Sequence, residues 1–205
     1  MKTIAAIVDA VAHVTGETDV LSPVHGEPIL THAVRGLLDT GHVDSVVVVA
    51  PARRVVMFRD ALSGLDCRVA PGSVPDAIEP GHDVYLVHDP LRAFTPASVI
   101  EAVAAAVGAE SPAVVPVLPM SDTVKAVGAS NVIISTLDRS LLRSAQTPAG
   151  FTEEALRAAY ATGEFALPSG ARTVPGHPDA MRVATPFELR LAEALLAAGS
   201  QENTL

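Results

Sequence analysis

Four short runs of apolar, largely β-branched residues recur along the chain, at Thr3–Val8, Ser45–Ala50, Asp83–His88 and Ala113–Leu118. The second, Ser45-Val46-Val47-Val48-Val49-Ala50, has no polar residue between its valines, so both faces of such a strand need cover. Helix-length segments separate the runs. One, from about Pro28 to Thr40, carries Leu30, Val34, Leu37 and Leu38 on an inner face and has Gly41 where a left-handed cap belongs. A second covers about Ala52–Ser63 and ends at Gly64. A third, Pro96–Val107, sets Val99, Val103 and Val107 on one stripe, with Thr95 as N-cap and Pro96 at the first helical position. A further strand is expected at Asp66–Ala70. This alternation predicts a doubly wound α/β domain.

The rhythm changes after Leu118. Thr123–Val127 and Val132–Thr136, joined by Gly128-Ala129-Ser130-Asn131, read as a hairpin with no helix to cover it. A helix is expected from Thr152 to about Thr162, then strands at Ala171–Val174 and Ala180–Ala184. Thr185-Pro186-Phe187-Glu188 is a capping box, and the helix behind it is expected to stop at Gly199. The 205 residues suit one domain, 1–205, with an arm at about 122–150.

Composition narrows the function. A net charge of −9 opposes a nucleic-acid surface, and five Phe, two Tyr and no Trp offer poor stacking platforms. No apolar run approaches the ~20 residues that span a bilayer. The start, Met1–Val8, resembles the beginning of a signal peptide, but Asp9 interrupts it and it reads as a first buried strand. A single cysteine, Cys67, predicts a reducing, cytoplasmic setting. The seven histidines show no metal-ligand spacing.

The chemistry concentrates at Val87-His88-Asp89-Pro90-Leu91-Arg92. In an open α/β sheet, ligands bind beyond the carboxyl ends of strands, which places Asp89 and Arg92 in the crevice. A carboxylate for a divalent cation beside a guanidinium for a phosphate suits nucleotidyl chemistry. The same pattern also suits a simple turn start with a solvated arginine. His88 reads as packing at the strand end, Lys125 as a phosphate ligand or an edge-strand charge, and Arg53 and Arg54 as an exposed helix face. After the first strand, where a phosphate-binding loop is usual, Asp9–Asp19 holds Gly16 as its one glycine, with Asp9, Glu17 and Asp19 and no lysine or arginine.

From about Gly26 to Leu196 the chain resembles the 2-C-methyl-D-erythritol 4-phosphate cytidylyltransferases of the non-mevalonate isoprenoid pathway. The resemblance rests on Gly26–Val34, Val87–Arg92, Val115–Lys125, Asp138-Arg139-Ser140, Gln146–Phe151 and Thr185-Pro186, in that order. It implies a Rossmann-like sheet, a hairpin arm that clasps a second subunit into a homodimer, and Mg2+- and CTP-dependent cytidylyl transfer to a polyol phosphate. By position, Asp89 is the catalytic and metal-holding residue, and Arg92 and Thr123 bind substrate. Arg139 and Thr147, taken as arm residues, reach the substrate of the neighbouring subunit. Ser73 falls in the shortened segment that holds the cytidine.

The departures fall on one side. The family's Ala-Ala-Gly-x-Gly-x-Arg loop and Pro-Lys pair are lost from Asp9–Asp19, and the arginine of the cytidine segment is gone. The Thr-Asp-Asp stretch after Tyr160 is missing, Ala149 replaces a glutamine, and Arg182 stands where a lysine is usual. Nucleotidyl transfer relies on positioning and charge stabilisation, and one lost donor commonly costs ~3 kcal/mol. The sequence therefore predicts weak or lost transfer. The alternative is a non-catalytic homologue that binds a sugar phosphate or regulates an active paralogue.

Overall fold

The computed structural model describes residues 2–11, 18–162 and 165–202, with side chains through residue 197. Most of the expected phosphate loop, including Ala12, Val14, Gly16 and Glu17, lies outside the described residues. In chain order the elements are β1 (Ile4–Asp9), the short pair β2 (Pro23–Val24) and β3 (Glu27–Pro28), α1 (Ile29–Leu38), β4 (Ser45–Ala50), α2 (Val55–Ala61), β5 (Arg68–Pro71), β6 (Val84–His88), α3 (Ala97–Ala106) and β7 (Ala113–Pro119). Then follow β8 (Lys125–Val127), β9 (Ile133–Thr136), β10 (Arg143–Ala145), β11 (Ala149–Phe151), α4 (Glu153–Ala159), β12 (Arg172–Pro175) and α5 (Pro186–Glu202).

The main sheet runs β10-β7-β11-β6-β1-β4-β5, with β12 also paired to β7. β5, β4, β1 and β6 are parallel, as β12 is to β7, while β10 and β11 run antiparallel to their neighbours. The valine runs are explained by two cores. Ile4, Ala6, Val8, Val46, Val48, Val84 and Leu86 face one core with Leu30, Val34, Phe58 and Val103. Their alternates Ala5, Ile7, Val47, Val49, Tyr85 and Val87 face a second core with Val74, Ile78 and Leu156. Successive strand residues point to opposite faces, so a strand covered on both sides must be apolar throughout. The α/β, Rossmann-like expectation is met.

Several local expectations are corrected. Ala180–Ala184 is not a strand: Pro178–Ala180 forms a 3-10 turn, and Val183 N–H donates to Leu91 O at 2.7 Å, which ties the segment to the loop after β6. α5 continues through Gly199, since a glycine costs a helix only ~1 kcal/mol and no proline follows to end it. Pro96, rather than Thr95, takes the N-cap position of α3; the Thr95 hydroxyl instead contacts the Arg92 and Thr147 carbonyls at 2.9 and 3.2 Å. Arg54 is buried rather than exposed.

Within the expected arm, β8 and β9 form a two-stranded sheet of their own, and positive-φ Asn131 helps turn the tip. Residues 143–145 and 149–151 instead join the main sheet beside β7. Gly150 permits this: a Cβ there would lie 2.6 Å from Val103 Cγ1, so α3 could not rest where it does.

Candidate active site

A cleft of about 450 Å³ opens at the carboxyl ends of β1 and β6, lined by Asp9, His88, Asp89, Arg92, Gln146, Thr147 and Arg182. Val87, Val115, Ala149, Tyr160, Phe165 and Leu167 supply an apolar side. Register places Val8 opposite His88, so Asp9 and Asp89 leave adjacent strands together. β6 ends there because Pro90 has no N–H to continue a ladder, and Asp89 caps the turn that follows.

Asp89 is held from several directions. Its Oδ1 accepts from Leu91 N–H at 2.8 Å, and its Oδ2 accepts from Arg182 Nε at 2.7 Å. Its own N–H donates to Thr147 Oγ1 at 3.0 Å, and that hydroxyl lies 3.2 Å from His88 Nδ1. The Thr147 hydroxyl, while accepting from the Asp89 N–H, can donate to His88 Nδ1 or accept from it. His88 is fully buried, and that burial holds its pKa down to about 4 despite the Asp89 charge. It is neutral near pH 7.

Arg92 donates to Ala180 O at 2.6 Å and to Ala145 O at 3.1 Å. Both partners are uncharged carbonyls. Burial lowers its pKa, and the Asp89 charge opposes that fall. Gln146 holds the carbonyl that holds Arg92. Its Nε2 donates to His177 O at 2.8 Å and Ala180 O at 3.2 Å, and its Oε1 accepts from His177 N–H at 2.9 Å. Gly176 makes room, because a Cβ there would sit 2.1 Å from Gln146 Oε1. The Gln146 carboxamide and the turn after β12 thus set the arginine in place.

Of the residues expected from sequence, the structure brings Asp89, Arg92 and Thr147 together. Thr147 stands in its own chain's cleft rather than on the projecting hairpin, because β10 has already rejoined the sheet. Thr123 and Arg139 remain out on the exposed arm, where the Arg139 guanidinium donates to Ser121 O. Ser73 lies past β5, at the same sheet edge but three strands from Asp89, or roughly 15 Å at normal strand spacing. There its N–H and hydroxyl both donate to Asp76 Oδ2, at 2.8 and 2.7 Å.

Two participants were missed. Arg182 signalled itself as a base three residues before Thr185-Pro186, though sequence gave no hint of its Asp89 contact. Phe165 packs tilted against Tyr160 and edge-on against Phe151, at centroid distances of 5.3 and 6.1 Å, which no periodic signal announced. Burial, then the Asp9 charge, push the Tyr160 phenol up. On the nucleotide side, Arg54 pairs with Asp19 at 2.7 Å and lies 4.9 Å over the Phe58 ring.

A family model described as 2-C-methyl-D-erythritol 4-phosphate cytidylyltransferase matches residues 12–198. A relative of that name from Saccharopolyspora erythraea is 43% identical, with 89% of this chain and 92% of the relative covered. Another from Rhodococcus opacus is 40% identical, covering 85% of each. Among solved structures, the enzyme of that name from Thermus thermophilus superposes with a TM-score of 0.75 at 26% identity, over 96% of this chain and 100% of that one. A 4-diphosphocytidyl-2C-methyl-D-erythritol synthase from Anaerococcus prevotii reaches 0.81 at 21% identity, over 96% and 99%, a likeness of fold. Fold and sequence point to the same relatives over most of the chain, and the chain belongs to the 2-C-methyl-D-erythritol 4-phosphate cytidylyltransferase family.

Proposed function

We propose that this protein retains the acceptor half of a cytidylyltransferase site and transfers cytidylyl groups weakly or not at all. In that reaction an oxygen of the acceptor phosphate bonds the α-phosphorus of CTP as the bond to pyrophosphate breaks. Arg92, fixed by two carbonyls, would bind the polyol phosphate as a preset fork of donors. Thr147 and His88 would fix the Asp89 backbone, and Arg182 its carboxylate.

The observation that carries the proposal is the fate of Arg54. Among the described residues, its guanidinium pairs with Asp19 at the end of the Asp9–Asp19 stretch and lies over the Phe58 ring. By sequence, that stretch brings Asp9, Glu17 and Asp19 and no lysine or arginine to offset a triphosphate. Among the described residues no three His, Cys, Asp or Glu could cage a metal. The neighbouring carboxylates Asp9 and Asp89 still fit Mg2+ carried in by phosphates, which asks for only one or two protein carboxylates. Such an ion would supply charge neutralisation at the phosphates.

The test is pyrophosphate release from CTP with Mg2+ and 2-C-methyl-D-erythritol 4-phosphate. We expect little or none; robust turnover abolished by Asp89→Ala overturns the proposal. Assembly is a homodimer through the arm, supported by Ile133, Ile134 and Leu141 standing 60%, 69% and 81% exposed. Sedimentation as a monomer at micromolar concentration would overturn that part. A role as a ligand-binding or regulatory partner of an active paralogue fits the same exposed arm. No helix among the described residues is long and apolar enough to cross a membrane. The free, half-buried Cys67 fits a cytoplasmic setting.

A further inference from the structure

Gln146 is almost fully buried, and both carbonyls that hold Arg92 depend on it. The Ala145 carbonyl, which accepts from Arg92 Nη2 at 3.1 Å, belongs to the peptide that joins Ala145 to Gln146. On the other side of that peptide the Gln146 N–H donates to Pro116 O on β7 at 2.8 Å, so the carbonyl keeps its direction. The Ala180 carbonyl accepts from Arg92 Nη1 at 2.6 Å and from the Gln146 carboxamide at 3.2 Å. The same carboxamide exchanges two bonds with His177. One residue therefore fixes both points between which the guanidinium is held, the first through its main chain and the second through its side chain. Gly176 completes the fit, since a Cβ there would collide with Gln146 Oε1.

This precision matters because a carboxylate competes for Arg92. The Asp89 charge acts on it against the effect of burial, while Arg182 adds to that effect. A long arginine side chain free to move beside a carboxylate turns its N–H groups to it, and donors spent there are withdrawn from a phosphate. With two N–H groups committed to fixed carbonyls, the rest of the fork keeps one orientation for an incoming anion.

We propose that Gln146 is a positioning residue for phosphate recognition, which sets the affinity of the cleft for a polyol phosphate by holding Arg92 on the Ala145 and Ala180 carbonyls rather than on Asp89. The inference rests on the reading that the acceptor half survives. Both amide hydrogens of Gln146 and its oxygen are engaged with His177 and Ala180, so it acts on the ligand through Arg92.

The experiment is a double-mutant cycle on the full chain, read by calorimetry with 2-C-methyl-D-erythritol 4-phosphate, alone and with CTP and Mg2+ present. Gln146→Met, similar in length but unable to make these bonds, should weaken binding of the ester about tenfold. Arg92→Lys keeps the charge and loses the fork. In that background Gln146→Met should cost less than about twofold, because the group it positions is gone. Gly176→Ala displaces the carboxamide without removing it and should repeat both results, which covers a methionine variant that fails to fold. A residue with a purely structural role would weaken the two backgrounds alike. Equal losses in both, or no loss where Arg92 is present, overturn this inference alone. A wild-type chain that binds the ester under neither condition overturns the retained acceptor half and this inference with it.

Discussion

At the β6 end of the sheet edge, Asp89, Thr147, Arg92, Gln146 and Arg182 bond to groups far away in sequence; Asp89 meets Arg182 across 93 residues and Thr147 across 58. At the β5 end, Ser73 bonds to Asp76, three residues on. The resemblance implies one site for both regions, yet only the first is woven into the fold. Residues that both bind and brace are hard to lose, because each loss leaves buried partners unpaired. Residues that only bind can change with little effect on stability. Under the proposed function, that difference accounts for the loss of the phosphate loop's basic groups beside a kept acceptor half.

The comparison breaks most readily at Gln146. Gln146→Ala should cost about 3 kcal/mol, since His177 and Ala180 lose buried partners; denaturant melts check this, and a loss under ~1 kcal/mol would mean the turn holds itself. Close behind is acid. His88 is neutral when folded, with its pKa pushed down to about 4 by burial, whereas an unfolded histidine titrates near its ordinary value of about 6.5. Between those values the unfolded chain takes up the proton and the folded chain does not, so stability falls as pH drops from about 6.5 to 4. The full loss is about 3 kcal/mol. His88→Asn should flatten that part of the pH profile, and an unchanged slope would assign it to other groups.

Asp89→Ala should cost about 2 kcal/mol, less than a fully buried pair because Arg182 is partly exposed. A neutral outcome would show that the Asp89–Arg182 pair serves ligand alone. Smallest is Ser73→Ala, expected to shift the melting temperature by no more than about 2 °C. A large shift there would erase the contrast between the two ends.

Strand content was legible because two-sided burial forces unbroken apolar runs, and Ser45–Ala50 was read to the residue. The turn signals of the arm and the capping box at Thr185 were equally plain: Glu188 Oε2 accepts from the Thr185 N–H and hydroxyl, both at 2.9 Å. What escaped were elements defined by partners rather than by their own pattern. β10 and β11 are three residues each, too short for periodicity, and exist because β7 offers them an edge. Ala180–Ala184 looked like a strand, but Pro178 and the Leu91 carbonyl claimed it for a turn. Arg54 looked solvent-facing on a helix, and only the arrival of Asp19 explains its burial. In the site, Asp89 and Arg92 followed from their place after a strand, while Arg182 and Phe165 come from segments whose position depends on the whole fold.

The hydrogen bonds that complete the cleft span 31, 58 and 93 residues, and their order of formation is constrained. The β1–β6 pairing itself closes 80 residues, so dependence rather than length puts the cleft bonds after it: Asp89 and Thr147 meet only once β6 and β11 are paired. The cleft then forms on the native side of the folding barrier. Substitutions at Asp89 and Gln146 should hasten unfolding and leave the refolding rate nearly untouched. The same side chains that shape the pocket would thus set how long each molecule stays folded, making ligand occupancy a brake on unfolding.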